Sequence, residues 1–373
     1  MKKALRIALG LAMAVSVLAA ALLLMGGLAG WLRPSFVGPM AHIAVMALPV
    51  TLAATIVCAV AWAAARRWRV ALPLMAVVAV TAPAWLNVCP LHIGPKSTEK
   101  ADFTIMTFNA ASFEFTNKAL RRKPSENVRM IMRHSPDFVV LQDVYTCRMM
   151  YYEMHSVWFV RDSLFAMYPY RSDGHDRVIL LSKYPFVKRD IVVPYIKFTG
   201  GEIPRDLYHH WAVAYDVTMP DGHQLTIIGA QLASYMLSDD ERQLYSSTMS
   251  GTSSKSQASP LDILGKIAAA DRWRGVQARV LRDVIDNSAK NLIVCGDFND
   301  VPASPVYRLL RGSDLRDART ETTAGLCPTY NRQHFNFTID HILYRGSLDA
   351  TSYHNIHEGT SDHYPQLAHF KWQ

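Results

Sequence analysis

Acidic side chains are absent from the first quarter of this 373-residue chain: residues 1–95 hold no aspartate or glutamate. That excludes an ordinary water-facing domain there, since such surfaces carry charges of both signs. Cysteine is scarce, with five residues and no Cys-x-x-Cys pair, which excludes a zinc ribbon or a thioredoxin-like redox site. Cys58 and Cys89 lie in or near apolar runs. Two of Cys147, Cys295 and Cys327 can pair in an oxidising compartment, although Cys295 sits in an apolar strand-like run that suits a buried thiol. No internal repeat is present, so a solenoid is excluded. Intrinsic disorder is excluded by an apolar content of 50%.

The net charge of +8 does not point to nucleic acid. Seven of the 39 basic residues (Lys2, Lys3, Arg6, Arg33, Arg66, Arg67 and Arg69) fall in the first 95 positions, leaving 32 against 31 acidic residues in the remainder. Basic residues flanking apolar runs orient membrane segments. Three runs, 7–32, 34–65 and 70–95, contain no Asp, Glu, Lys or Arg, and each exceeds the roughly 20 residues that cross a bilayer.

The expectation is a membrane region at 1–95 with three transmembrane helices, about 7–31, 41–64 and 70–88, followed by one domain at 96–373. The first run is long for a cleaved signal peptide and two more follow, so an uncleaved helix is expected. Pro49, Pro73 and Pro83 fall in or near the later spans, where neighbouring helices satisfy freed carbonyls. Trp31, Trp68 and Trp85 suit the membrane interface. With the basic clusters before span one and between spans two and three on the cytoplasmic side, residues from about 96 onward face the periplasm or exterior.

After a polar linker near 96–100, strand-like apolar runs recur at 103–108, 138–141, 178–181, 211–217, 225–228, 292–295 and 339–344. Helical spacing at 127–134 and 271–287 alternates with them, which predicts an α/β arrangement. A Ser/Thr-rich stretch at 246–260 predicts a long surface loop.

The strongest local signal is the apolar strand 292–295 running into Gly296-Asp297-Phe298-Asn299. Residues two apart share a strand face, so Asp297 and Asn299 can enter one cleft at the sheet's end. A carboxylate there can activate water and an amide can donate to phosphate; the same residues also suit a strand-end turn. Asp340 interrupts an apolar strand and needs a partner, and His363, beside Asp362 in a polar loop, is an attractive one. His341 is expected on the opposite face. Asn109 and Asp143 each follow a strand, and their oxygens suit Mg²⁺ or Mn²⁺. His354 and His357 lack a third ligand, and Tyr151, Tyr152, Trp158 and Phe159 suit core packing.

Taken in order, Thr107-Phe108-Asn109, Leu141-Gln142-Asp143, Gly296-Asp297-Phe298-Asn299, Ile339-Asp340 and Ser361-Asp362-His363 resemble the successive motifs of the endonuclease/exonuclease/phosphatase superfamily. Ser182-Lys183-Tyr184-Pro185 and the Pro302, Ser304, Pro305, Tyr307 set add to the resemblance, which spans about 102–370. The chain looks like a bacterial membrane-anchored branch, multi-pass in the inner membrane. The resemblance implies a DNase I-like four-layer α/β sandwich, two packed mixed β-sheets flanked by helices, and divalent-metal-dependent hydrolysis of phosphoesters by in-line water attack.

On that resemblance Asn109, Asp143 and Asp362 serve a Mg²⁺ or Mn²⁺ ion, Asp297 activates water, Asn299 contacts phosphate, and His363, oriented by Asp340, stabilises developing charge. Two departures stand out. Asp143 replaces the family's glutamate and is one methylene shorter. Gln231, in Gly229-Ala230-Gln231-Leu232-Ala233-Ser234, replaces its histidine and cannot exchange a proton near neutral pH; His209 and His210 lie nearby in sequence.

Two classes of function follow: a membrane-anchored hydrolase, or a binding or scaffolding protein that kept the fold and lost efficient turnover. Candidate substrates are nucleic acid, a lipid head group or a phosphorylated envelope component, with no protein partner expected. Basic clusters at 118–123 and 272–279 suit solvated helix faces better than a phosphate-tracking surface.

Overall fold

The computed structural model describes residues 2–32, 39–92, 100–110, 126–143, 163–172, 177–191, 211–235, 237–238, 240–242, 244, 247, 259–332, 335–359 and 361–373. Cys147, His209, His210, Tyr151, Tyr152, Trp158, Phe159, the basic cluster at 118–123 and most of the linker and loop expected at 96–100 and 246–260 lie outside them.

Helix α1 (Lys2–Ala29) is uninterrupted over 28 residues, about 42 Å at the α-helical rise, and is long and apolar enough to cross a membrane. The other two expected spans are not single helices. Helix α2 (Pro39–Met46) meets α3 (Leu48–Ala64) at 70°, and α4 (Trp68–Val80) meets α5 (Ala82–Val88) at 62°. Proline explains both breaks. Pro49 and Pro83 occupy the first turns of α3 and α5, where a missing N–H favours starting a helix over continuing one. Pro73 lies inside α4 without ending it. One described helix therefore qualifies outright, and three segments qualify if each bent pair crosses as a unit.

Glycine lets α1 approach its neighbours. A Cβ on Gly26 would lie 2.5 Å from the Ala44 carbonyl oxygen of α2, and one on Gly30 would lie 2.7 Å from that of Ala303 in the following domain. The outward faces stay apolar: Leu11, Val15 and Leu18 of α1, Val57 and Val60 of α3, and Leu72 and Met75 of α4 are exposed.

The following domain runs β1 (Phe103–Asn109), α6 (Glu126–His134), β2 (Phe138–Gln142), α7 (Phe165–Met167), β3 (Tyr170–Arg171), β4 (Ile179–Ser182), β5 (Phe186–Asp190), β6 (Ala212–Thr218), β7 (Gln224–Gln231), α8 (Pro260–Asp286), β8 (Leu292–Asp297), α9 (Pro305–Arg311), β9 (Arg316–Asp317), α10 (Ala318–Thr322), β10 (Tyr330–Arg332), β11 (Phe335–Phe337), β12 (Asp340–Arg345), β13 (Leu348–Asn355) and β14 (Gln366–Trp372). Two six-stranded sheets form, in the orders β13-β14-β1-β2-β4-β3 and β5-β6-β7-β8-β12-β9, with β10-β11 as a separate hairpin. Both sheets are mixed: β1·β2 and β7·β8 are parallel, while β1·β14 and β8·β12 are antiparallel.

Alternation along the strands builds four layers. Phe103, Ile105, Phe138 and Val140 of the first sheet meet Val213, Tyr215, Ile227, Ile293, Cys295 and Ile342 of the second in one buried core. The opposite face of the first sheet, through Met106, Val139 and Leu141, packs on Val128 and Ile131 of α6. That of the second, through Ala214, Ile228 and Val294, packs on α8 and α9 through Val276, Leu281, Ile285, Val306 and Leu310. The expected sandwich is therefore present, with all seven expected strands inside or close to observed ones. The helix expected at 271–287 is the second half of a longer α8, whose start is capped by the Ser259 hydroxyl accepting the Leu261 N–H at 3.3 Å.

Cys58, Cys89, Cys295 and Cys327 are free thiols. Cys295 is fully buried, and burial pushes its thiol up to about 12.

Candidate active site

The inter-sheet face that is apolar through the core turns polar where the strands end. On β8 the inward series Ile293, Cys295 reaches Asp297, and on β12 Tyr344, Ile342 leads back to Asp340, its direct neighbour across the ladder. On β1 and β7 the same alternation brings Asn109 and Gln231 to the ends. Gly229 sits where a Cβ would meet Val178 and Val140 of the other sheet at 2.5 and 2.7 Å. Both sheets thus contribute to one cavity of about 350 Å³ lined by Asn109, Asp143, Gln231, Asp297, Asn299, Asp362 and His363, among others.

At its floor Asp297 is held at both oxygens. Asn109 Nδ2 donates to Oδ2 at 3.0 Å, and the backbone N–H of Asn299 donates to Oδ1 at 2.8 Å. Gly296 makes this turn possible: its φ is +141°, and a Cβ there would stand 1.9 Å from the Ala230 carbonyl oxygen. His363 Nδ1 donates to Asp340 at 3.1 and 3.0 Å, and Nε2 faces Asp297 Oδ2 at 4.0 Å. Thr329 Oγ1 donates to Asp340 at 2.7 Å, and the Tyr330 ring lies edge-on to His363 with centroids 4.8 Å apart.

The electrostatics follow from that enclosure. Burial first, then the neighbouring Asp340, raises the Asp297 carboxyl above the ordinary carboxylate range, against His363, Asn109 and Asn299. Burial alone would lower His363, but the Asp340 and Asp297 carboxylates outweigh it and raise its pKa, so the ring is an imidazolium at neutral pH.

Asp143 and Gln231 meet at the cavity wall. The Asp143 backbone, at φ +52°, donates its N–H to Gln231 Oε1 at 3.2 Å. Withdrawal from water raises the Asp143 carboxyl; Arg177, whose guanidinium is 3.9 Å away, and His363 lower it, and Asp362 raises it. Asp143 and Asp362, which repel each other, line the cavity with Asn109, and carboxylate and amide oxygens are donors that suit Mg²⁺ or Mn²⁺. Asp362 also takes an ion pair from Arg332 at 3.4 Å. Asn299 lines the cavity, but its Nδ2 donates to the Leu232 carbonyl at 3.0 Å, so part of its amide is held by backbone.

All eight residues singled out in the sequence therefore adjoin: seven line the cavity and Asp340 stands behind His363. Sequence reasoning missed Thr329, Tyr330 and three cations on the wall, Arg177, Arg242 and Arg332. Thr329 and Arg177 lie in loops, Tyr330 and Arg332 on a two-stranded hairpin and Arg242 in a short helical segment, so no long periodic run signals them.

Other expectations fall away from the site. His341 points to the opposite face, as anticipated, with Nε2 2.9 Å from the Asp300 carbonyl oxygen and its ring near Phe298 and Tyr307. Ser182 closes a local turn with Tyr184, and Ser304 caps α9. His354 contacts His369 edge-on. The cluster at 272–279 is not simply a solvated face. Arg274 is fully buried, paired with Asp271, 3.5 Å from Asp300, and its guanidinium lies over Tyr235 at 4.3 Å. His42 of α2 completes this network, 3.3 Å from Asp271 and hydrogen-bonded to Tyr235. His42, Asp271 and Asp300 have metal-like spacing, but the Arg274 cation already lies against both carboxylates and opposes a second cation there.

No curated protein matches the chain. Among solved structures it is similar to an endonuclease/exonuclease/phosphatase from Beutenbergia cavernae, at 16% identity over 73% of this chain and 72% of that one, with a TM-score of 0.46. The human Nocturnin catalytic domain is similar at 16% identity over 73% and 94%, with a TM-score of 0.44. A mannosyl-6-phosphatase from Bacteroides thetaiotaomicron is similar at 13% identity over 73% and 100%, with a TM-score of 0.46. The family model described as Endonuclease/Exonuclease/phosphatase family matches residues 106–363, from β1 through the Asp362-His363 pair. The chain belongs to that family, whose DNase I-like sandwich its two packed sheets form.

Proposed function

We propose that this chain is a membrane-anchored, divalent-metal-dependent phosphoester hydrolase working outside the cytoplasm by in-line attack of water. The observation that carries the reading is the triad Asp297, His363 and Asp340, with Nε2 of His363 4.0 Å from Asp297 and Nδ1 held by Asp340 at 3.0 Å. An ionised Asp297, its oxygens oriented by Asn109 and Asn299, takes a proton from the attacking water. As the phosphorus–oxygen bond breaks, the His363 imidazolium stabilises the phosphoryl charge and returns a proton to the leaving oxygen. Asp143, Asn109 and Asp362 would hold a divalent cation, which supplies neutralisation of phosphate charge. The anchor rests on α1, and the orientation on the basic clusters at Lys2, Lys3, Arg6 and Arg66, Arg67, Arg69.

The test is titration of the purified full-length protein with Mn²⁺ and Mg²⁺ against bis(p-nitrophenyl) phosphate and p-nitrophenyl phosphate. Metal-dependent turnover that falls about 10²-fold or more in Asp297→Ala and His363→Ala is expected. Absence of both turnover and metal binding overturns the reading.

One observation favours a second reading, a fold member with slow or lost turnover that binds phosphoesters. Gln231 fills a proton-exchanging position with an amide whose carbonyl is engaged by the Asp143 backbone. Phosphate binding without metal-dependent turnover supports it.

A further inference from the structure

The cavity that holds Asp297 and His363 has two poles. Besides the carboxylates and the imidazole, Met46, Leu237, Ile267, Val301, Phe337 and Ile339 line it. The origin of these side chains is informative. Met46 is the last residue of α2, at the point where the chain bends by 70° into α3. Val301, Phe337 and Ile339 pack in one cluster with Leu23 and Ala29 of α1, Val45 of α2 and Leu48 of α3. The apolar wall of the reaction cavity is thus continuous with the helices whose outer faces are apolar and exposed. The loop that follows Asp297 and Asn299 is seated directly on those helices, with Gly30 against the Ala303 carbonyl.

Resting on the hydrolase reading, we propose that the substrate is a lipid phosphoester, its phosphate at the Asp297–His363 pole and its hydrocarbon along the wall begun by Met46. A free sugar phosphate or nucleotide satisfies only the polar pole and leaves the half-buried Met46, Phe337 and Ile339 in contact with water at a cost. A hydrocarbon tail covers them, and each methylene it buries strengthens binding about fourfold. The supply of such a molecule fits the architecture, because the α2–α3 bend brings a membrane-type helix end to the cavity itself.

The experiment uses the full-length protein in nanodiscs and measures binding of n-alkyl phosphates from two to twelve carbons against inorganic phosphate, by calorimetry. Affinity that rises about 15-fold with each added carbon pair and then levels off is expected. Met46→Trp and Leu237→Trp, which fill the apolar pole from two different elements, flatten that series while leaving inorganic phosphate binding unchanged. A series flat in the unaltered protein overturns the lipid inference. So does a series equally steep in both variants, which reports partition into the bilayer. The hydrolase reading is judged separately, by metal-dependent turnover of bis(p-nitrophenyl) phosphate: if that persists while the alkyl series is flat, only the lipid inference fails.

Discussion

Gln231 Oε1 accepts the backbone N–H of Asp143 at 3.2 Å, so the two residues that depart from the family pattern touch each other across the two sheets. The shorter carboxylate and the non-titrating amide are therefore one local arrangement. Replacing Gln231 removes this contact, lengthening the side chain at 143 alters the same corner of the cavity, and neighbours of this kind are rarely additive. We predict that Gln231→His with Asp143→Glu raises kcat by about 10²-fold, the lower end of what general acid–base catalysis supplies, and by more than the product of the single variants. A complete double-mutant cycle measures this, and strict additivity contradicts it.

The dyad sets the alkaline limb of activity. His363 is raised above the ordinary value by Asp340 and Asp297 despite burial, so its proton and the activity it supports persist through neutral pH and are lost as pH climbs through the raised value. Asp340→Asn removes the larger of the two raising charges. The limb of the rate profile then moves to lower pH, toward the unperturbed value of about 6.5, while Thr329 still reaches the side chain. A limb that stays in place rules out this role for Asp340.

Gly296→Ala tests the turn beneath Asp297. The added methyl meets the Ala230 carbonyl, and φ of +141° is open to glycine and hostile to alanine. A loss of about 3 kcal/mol is expected, read as a lower melting temperature of the detergent-solubilised protein. Melting unchanged from the parent contradicts the strained turn.

Asp271→Asn removes the carboxylate closest to the buried Arg274 and leaves Asp300 at 3.5 Å as its remaining counter-charge. The cost is about 2 kcal/mol, because Arg274 loses a charge-assisted hydrogen bond while Asp300 still balances its charge. The loosened network includes His42 of α2, so limited proteolysis between the helical region and the domain should accelerate. Unchanged cleavage means that the network does not clamp the two together.

Strand ends with chemistry were legible because alternation survives to the last residue. The apolar run before Gly296 put Asp297 on the core face, and Asp340 and His341 separated onto opposite faces for the same reason. Other features lacked such a signal. Strands β13 and β14 mix Ser, Thr, His and Lys into their alternation and were not anticipated. Arg274 looked like a surface charge because Asp300 and Tyr235, which enclose it together with Asp271, are distant in sequence. The bends after Met46 and at Thr81 came from prolines whose position in a first turn, rather than mid-span, emerges only from the folded helices.

Because Asn109, Gln231, Asp297 and Asp340 all occupy the same parity of their strands, sequence length within those strands is constrained to even steps. Deleting two residues from the middle of β8 would shorten the sandwich and keep Asp297 aimed at its neighbours. Deleting one would turn it toward α8 and α9, among aliphatic side chains. Homologous chains that diverge freely in their loops should therefore change these four strands by pairs of residues or not at all.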